Sequence, residues 1–137
     1  MPDYIAFYGS LMERVNDPAA PSRAGLSRLV SPCRIAGTLR DHGAYPGFFL
    51  PEGAIRAAAE REVVEAELHE LVGLQAFVVF DRYEDYDPDN EAASLYIRRK
   101  IRLIQPDVEA WVYISQLSKE DPIVPAGDWA AYRLRRL

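Results

Sequence analysis

The stretch Leu95-Tyr96-Ile97-Arg98-Arg99-Lys100-Ile101-Arg102-Leu103 decides how the chain is read. Leu95, Ile97, Ile101 and Leu103 fall on one side of a period of two, with Tyr96, Arg98, Lys100 and Arg102 on the other. That is the pattern of a half-buried strand. Gln105-Pro106-Asp107 turns the chain into another strand, Val108 to Ile114, where Val108, Ala110, Val112 and Ile114 oppose Glu109, Trp111 and Tyr113. Upstream, Tyr4 to Tyr8 is a short β-rich run. Cys33 to Leu39 alternates, with Cys33, Ile35, Gly37 and Leu39 on one side, and Glu62 to Leu68 sets Val64, Ala66 and Leu68 against Glu65 and Glu67. Helical patterning is scarcer. Leu74, Phe77, Val78 and Phe80 place a helix over Glu70 to Tyr83, and Ser22 is positioned to cap a short helix carrying Leu26, Leu29 and Val30. Strands outnumber helices and several are joined by short turns. The expected fold is α+β, a single domain over residues 1–137 on a mostly antiparallel, strongly curved sheet able to curl into a small barrel.

Composition bounds the function. Of 137 residues, 49% are hydrophobic and 27% charged, which excludes a disordered or collagen-like chain. A net charge of -5 and a pI near 5.0 would repel a phosphate backbone, so no nucleic-acid partner is expected. Cys33 is the single cysteine, which rules out an intrachain disulfide and a zinc site built on several thiolates. No charged-then-apolar leader precedes Tyr4, and no apolar run approaches the ~20 residues of a membrane span. The expectation is a cytoplasmic protein with no membrane partner.

The common chemical templates are missing: there is no GxGxxG, no GxxxxGK[ST] and no GxSxG. Asp85, Asp87, Asp89 and Glu91 superficially resemble a calcium loop. Asn90 stands where that loop needs Gly, Tyr96 where it needs a bidentate Glu, and Pro88 interrupts it. A solvated acidic loop is the better reading. Cys33 with His42 or His69 would make a nucleophile–base pair, but Cys33 lies on the apolar face of its strand, where a lone cysteine is core.

Glu84 carries more information. At ~100° per residue it lies about 20° from Phe77 and 40° from Phe80, on the apolar side of the helix. Desolvation and the negative end of the helix dipole both disfavour its charged form, raising its pKa toward the range of a general acid/base. Periodicity leaves a second reading open, in which the helix ends at Glu84 and the side chain turns to water or to Arg98. Asp81, one turn earlier, is either a competing carboxylate or a structural acceptor. Tyr96 and Tyr113 stand on the less apolar faces of their strands, as cross-strand packing or as hydroxyls for a polar ligand. Gly9-Ser10 ends the first strand, either as a plain turn or as a set of N–H groups for an anion.

Taken in order, these segments resemble the γ-glutamylcyclotransferase-like superfamily, in particular its small AIG2-like bacterial members. The matching features are Phe7-Tyr8-Gly9-Ser10-Leu11, Gly37-Thr38-Leu39, Gly43-Ala44-Tyr45-Pro46-Gly47 and Val64-Glu65-Ala66-Glu67-Leu68. They continue with Phe80-Asp81-Arg82-Tyr83-Glu84-Asp85-Tyr86, Tyr96-Ile97-Arg98-Arg99, Ala110-Trp111-Val112-Tyr113 and Gly127-Asp128-Trp129. The resemblance covers most of the chain outside roughly 12–31 and the last few residues. It implies a small closed β-barrel flanked by helices, with a cavity at one barrel end.

The same resemblance makes Glu84 the acid/base. It makes Tyr8, Gly9, Ser10 and Leu11 a substrate-binding turn, and Tyr96 and Tyr113 walls of the same pocket. The implied reaction closes a γ-glutamyl amino acid or γ-glutamylamine to 5-oxoproline and frees the amine, with no metal or cofactor. One departure stands out: Asp85 occupies the place where the family usually has Gly, and its charge beside Glu84 is expected to lift the Glu84 pKa further. A non-catalytic pocket binding a small metabolite on the same scaffold is the alternative. Arg133, Arg135 and Arg136 suggest an interaction tail only weakly; solvation of a terminal helix explains them.

Overall fold

The computed structural model describes residues 3–51, 62–73 and 75–135. In chain order these form β1 (Tyr4–Phe7), β2 (Ser27–Ala36), β3 (Thr38–Asp41), β4 (Pro46–Phe49), β5 (Val63–Leu71), α1 (Gln75–Tyr83), β6 (Tyr96–Arg102), β7 (Glu109–Ser115) and α2 (Trp129–Arg135). Short 3-10 turns occupy Glu91–Ala93 and Pro125–Gly127. The strands expected near Tyr4, Cys33, Glu62, Leu95 and Val108 share one five-stranded sheet of order β2-β5-β1-β7-β6, and β3 pairs with β4 as a separate hairpin.

The sheet is mixed. β1 runs antiparallel to β5 but parallel to β7, while β2–β5 and β6–β7 are antiparallel. It also does not close, so the expected barrel is not formed. β2 and β6 remain edges, and both are poor pairing partners. β6 carries Arg98, Arg99, Lys100 and Arg102, and β2 contains Pro32 and a register shift between Leu29 and Ser31. The two flanks meet at Arg34, whose N–H donates to the Gln105 carbonyl (2.8 Å) and whose carbonyl accepts from Ile104 N–H (2.9 Å).

Strand register divides the sheet into two unlike faces. Ile5, Phe7, Glu67, His69, Trp111, Tyr113, Tyr96 and Arg98 share one face. α1 lies on it, with Phe80 edge-on to Phe7 (5.1 Å between ring centroids) and Phe77 edge-on to Trp111 (5.6 Å). On the opposite face Ala6, Ala66, Leu68, Cys33, Ile35, Ala110, Val112 and Ile114 are all buried. Leu39 and Phe48 of the β3–β4 hairpin join that core. A central strand covered on both sides needs no polar alternation, which is why β1 reads Tyr-Ile-Ala-Phe.

Other boundaries differ from expectation for local reasons. Ser22 caps no helix; its hydroxyl accepts the Ala24 N–H (3.2 Å) in a turn, and Leu29 and Val30 belong to β2, where they are exposed. Glu70 and Leu71 continue β5, paired with Arg28 and Ser27, so α1 begins at Gln75 rather than Glu70. Leu74 and Arg136 lie outside the described residues. The alternating run from Cys33 to Leu39 is broken at Gly37 into two strands. Its φ of +152° suits glycine, and a Cβ there would stand 2.5 Å from the Phe48 ring and from the Phe49 carbonyl oxygen. Gly37→Ala is therefore expected to lower stability by about 1–3 kcal/mol in urea unfolding, with the m-value unchanged. A variant as stable as the parent would show that the strand break does not depend on glycine.

Candidate active site

The site begins where β1 stops. Beyond Phe7 the chain turns back on itself, closed by a hydrogen bond from Met12 N–H to the Gly9 carbonyl (3.0 Å). The backbone hydrogen bonds of this turn do not draw on the N–H groups of Gly9, Ser10 or Leu11. Ser10 Oγ and the Tyr83 hydroxyl lie 2.6 Å apart, tying the turn to the end of α1.

Glu84 follows the last residue of α1 directly, and the helix end determines its position. Tyr86 N–H reaches back to the Asp81 carbonyl (2.8 Å) and Asp85 N–H to the Arg82 carbonyl (3.2 Å), while Asp85 adopts φ +55°. This is the Schellman arrangement, whose left-handed residue is usually glycine. Asp85 stands in that place. The departure from the family pattern thus has a backbone reason, and Glu84 becomes the residue at which the helix turns.

The structure brings Tyr8, Gly9, Ser10, Leu11, Glu84, Tyr96 and Tyr113 to the border of one cavity of about 190 Å³. Tyr45, Pro46, Tyr83, Asp85 and Leu95 complete much of the wall, and no Lys, Arg or His among the described residues borders it. The Glu84 side chain makes no hydrogen bond among the described residues, and its carboxyl is pushed up to about 8, first by burial and then by the charge of Asp81. The like-charge contribution expected of Asp85 comes instead from Asp81; Asp85 itself is exposed.

Asp81 resolves its two readings as a structural acceptor. It is buried and takes Arg98 Nε–H (2.9 Å) and Nη2–H (3.1 Å) in a fork, with the Tyr113 hydroxyl donating to it at 2.6 Å. The Arg98 guanidinium lies 3.7 Å from the Phe77 ring centroid and 4.8 Å from that of Trp111. Arg98 is thus engaged by Asp81, not by Glu84.

The tyrosine hydroxyls are likewise spoken for. Tyr8 donates to the Tyr113 carbonyl (2.6 Å) and Tyr96 to the Pro46 carbonyl (2.7 Å). Burial raises all three phenols, Tyr8, Tyr96 and Tyr113, so they stay neutral, and what they present to the cavity is largely aromatic surface. Sequence reasoning missed Tyr83 and Tyr45 as lining residues. The Tyr45-Pro46-Gly47 turn was the available signal for one, and adjacency to Glu84 for the other.

The rejected constellations find other roles. Burial pushes the Cys33 thiol up to about 12, far from a nucleophile's range. His42 sits between Asp121 (Nδ1 to Oδ2, 2.6 Å) and Ser115 (Nε2 to Oγ, 2.9 Å), in the order of a hydrolase triad. Ser115 is buried, however, and the Gly47 backbone is pressed so close that a Cβ there would overlap the His42 ring. The array braces the hairpin turn against the end of β7. In the acidic loop, Asp87 Oδ1 accepts the Asp89 N–H (2.9 Å), and Glu91 binds Arg99 and Tyr86. Among the described residues, no cluster of three or more His, Cys, Asp or Glu is placed to hold a metal ion, and no helix is long and apolar enough to cross a membrane.

A family model described as gamma-glutamyl cyclotransferase, AIG2-like, matches residues 5–131. No curated protein matches by sequence. Among solved structures, an uncharacterized Pyrococcus horikoshii protein is similar at a TM-score of 0.67 and 16% identity, over 98% of this chain and 95% of that one. Protein ytfP from Escherichia coli is similar at 0.62 and 20% identity, over 92% and 95%. An AIG2-like protein from Mus musculus gives 0.60 and 18%, over 87% and 81%. At these identities the structures speak for the fold.

The helix-end geometry makes a prediction. Asp85→Gly removes an L side chain from a left-handed position and is expected to raise stability by about 0.5–1 kcal/mol, read by thermal unfolding. A loss of stability would mean that the Asp85 side chain contributes more than its backbone strain costs.

Proposed function

The chain belongs to the gamma-glutamyl cyclotransferase, AIG2-like family, and we propose that it cyclises a γ-glutamyl compound to 5-oxoproline and the free amine, with Glu84 carrying the proton. The observation that supports this most is the carboxyl raised to about 8 on the same cavity as the Gly9–Leu11 turn.

In this reaction the substrate supplies its own nucleophile. Its α-amino nitrogen attacks the γ-carbonyl carbon, a C–N bond closes the five-membered ring, and the original amide C–N bond breaks. The α-nitrogen gives up two protons on its way from ammonium to lactam N–H, and the Glu84 carboxylate takes them in turn and passes them to the departing nitrogen, which leaves as an ammonium. Protons and electrons balance with no water consumed. A carboxyl titrating near neutrality serves both transfers, because neither its loss nor its gain of the proton is steeply uphill. With no cationic side chain among the described residues on the wall, the substrate's carboxylate oxygen is met by the N–H groups of Gly9, Ser10 and Leu11, as preorganised dipoles. The aromatic walls of Tyr8, Tyr96 and Tyr113 exclude water and keep the substrate bent, which is the proximity part of the catalysis.

The test is release of 5-oxoproline across a panel of γ-glutamyl amino acids and γ-glutamylamines. Glu84→Gln keeps shape and folding, since an amide avoids burying a charge. It is expected to bind substrate while turnover falls by about 10²–10⁴. The parent's kcat/KM should rise with pH through an acid limb near 8, because the carboxylate form starts the reaction and burial delays its appearance. Near-parental turnover in Glu84→Gln would sink this role. Binding without turnover across the panel would favour the non-catalytic pocket.

A further inference from the structure

We propose that Glu67 and Arg23 are positioning residues that hold the Gly9–Leu11 turn in its binding geometry, an inference that rests on the role given to that turn above. Neither side chain borders the cavity, so whatever they do there is done through the turn. Glu67 lies opposite Phe7 in the β1–β5 register, on the same sheet face. Its carboxylate is therefore delivered to the place where the chain leaves the sheet and begins to turn.

Glu67 is 5% exposed, an unusual setting for a charge. Its Oε1 accepts the Glu13 N–H at 2.6 Å and its Oε2 the Arg14 N–H at 3.1 Å, while His69 Nε2 stands 3.2 Å from Oε1. Burial by itself would raise this carboxyl, yet His69 and the two backbone amides together hold it below the usual carboxylate range. The ionised group is thus a fixed part of the fold. It grips the two peptide units that follow the turn with charge-assisted hydrogen bonds, stronger than neutral ones.

Arg23 holds the turn from a second direction. Its Nη1–H donates to the Leu11 carbonyl at 2.8 Å, which orients the peptide unit leaving the turn. Arg23 belongs to the Pro- and Ala-rich connection before β2, a segment that sequence patterning read as a short helix capped by Ser22, with no part in the site. Without these contacts, the turn's own backbone contributes, among the described residues, only the Met12–Gly9 hydrogen bond, supplemented by the Ser10–Tyr83 contact. A set of N–H donors that binds an anion must be held to within about half an ångström, and one backbone hydrogen bond does not do that.

The experiment compares the full-length parent with Glu67→Ala, Glu67→Gln and Arg23→Ala. It measures steady-state kinetics on the best γ-glutamyl substrate of the panel and amide hydrogen exchange at residues 9–14. Glu67→Ala and Arg23→Ala are each expected to raise KM about tenfold while kcat stays within about threefold, the pattern of lost ground-state binding. Exchange at residues 9–14 should quicken about tenfold or more in both. Glu67→Gln retains an acceptor oxygen and should restore most of the parental KM. Arg23 is partly exposed and lies outside the sheet and helices, so its variant is expected to fold and decides the matter even if Glu67→Ala does not fold.

Unchanged KM in Arg23→Ala, and in Glu67→Ala where it folds, together with parental exchange at residues 9–14 would overturn the proposal. So would quickened exchange with unchanged KM, which would make the contacts structural only. A parent that releases no 5-oxoproline would contradict the functional reading instead. The exchange profile would then decide the positioning claim alone, parental exchange in Arg23→Ala, and in Glu67→Ala where it folds, overturning it.

Discussion

The ion pair between Asp81 and Arg98 is the interaction on which the rest of the site depends. It joins the last turn of α1 to β6, and the Tyr113 hydroxyl adds β7 to the same carboxylate. A forked guanidinium and a phenol hold this buried carboxyl group in one place. Its backbone does further work, since the Asp81 carbonyl accepts the Tyr86 N–H that ends the helix. The residue that anchors the helix to the sheet therefore also shapes the turn bearing Glu84. Its charge, second to burial, raises the Glu84 carboxyl.

That arrangement is possible because the sheet has two unlike faces. The apolar face, with Val112, Ala110, Ile35 and Leu68, supplies the hydrophobic burial. The other face is then free to carry Glu67, His69, Arg98 and the tyrosines under a helix and a turn. Each buried charge on it is matched: Asp81 by Arg98, Glu67 by His69 and two backbone amides. The cavity is lined by Tyr8, Tyr96 and Tyr113, whose hydroxyls are bonded to the protein itself.

Much of this was legible in the sequence, for physical reasons that can be named. The period-two runs on β5, β6 and β7 reflect one face in the core and the other under polar groups. Helical periodicity put Glu84 beside Phe77 and Phe80, which is where burial acts on it. What could not be read locally was pairing. Nothing in Tyr4 to Phe7 states that β1 lies between an antiparallel and a parallel neighbour, and nothing in β6 states that its far edge stays open. Glu70 and Leu71 have helical neighbours in sequence but strand partners in space, so tertiary pairing with β2 overrode the local pattern. Asp85 was legible as a departure, yet its meaning needed the Schellman hydrogen bonds. The contribution of Asp81 to the Glu84 charge state needed the fold of the helix end.

The central claim is that burial beside Asp81 keeps the Glu84 carboxyl protonated until near-neutral to mildly alkaline pH. It is tested most directly by following the side-chain carboxyl carbon of Glu84 by NMR as the ligand-free protein is titrated. The account predicts a midpoint of about 8, well above the ordinary glutamate value of 4.5. A midpoint at the ordinary value would contradict it, because a carboxyl titrating near 4.5 would be too weak a base to draw protons from the substrate's α-ammonium.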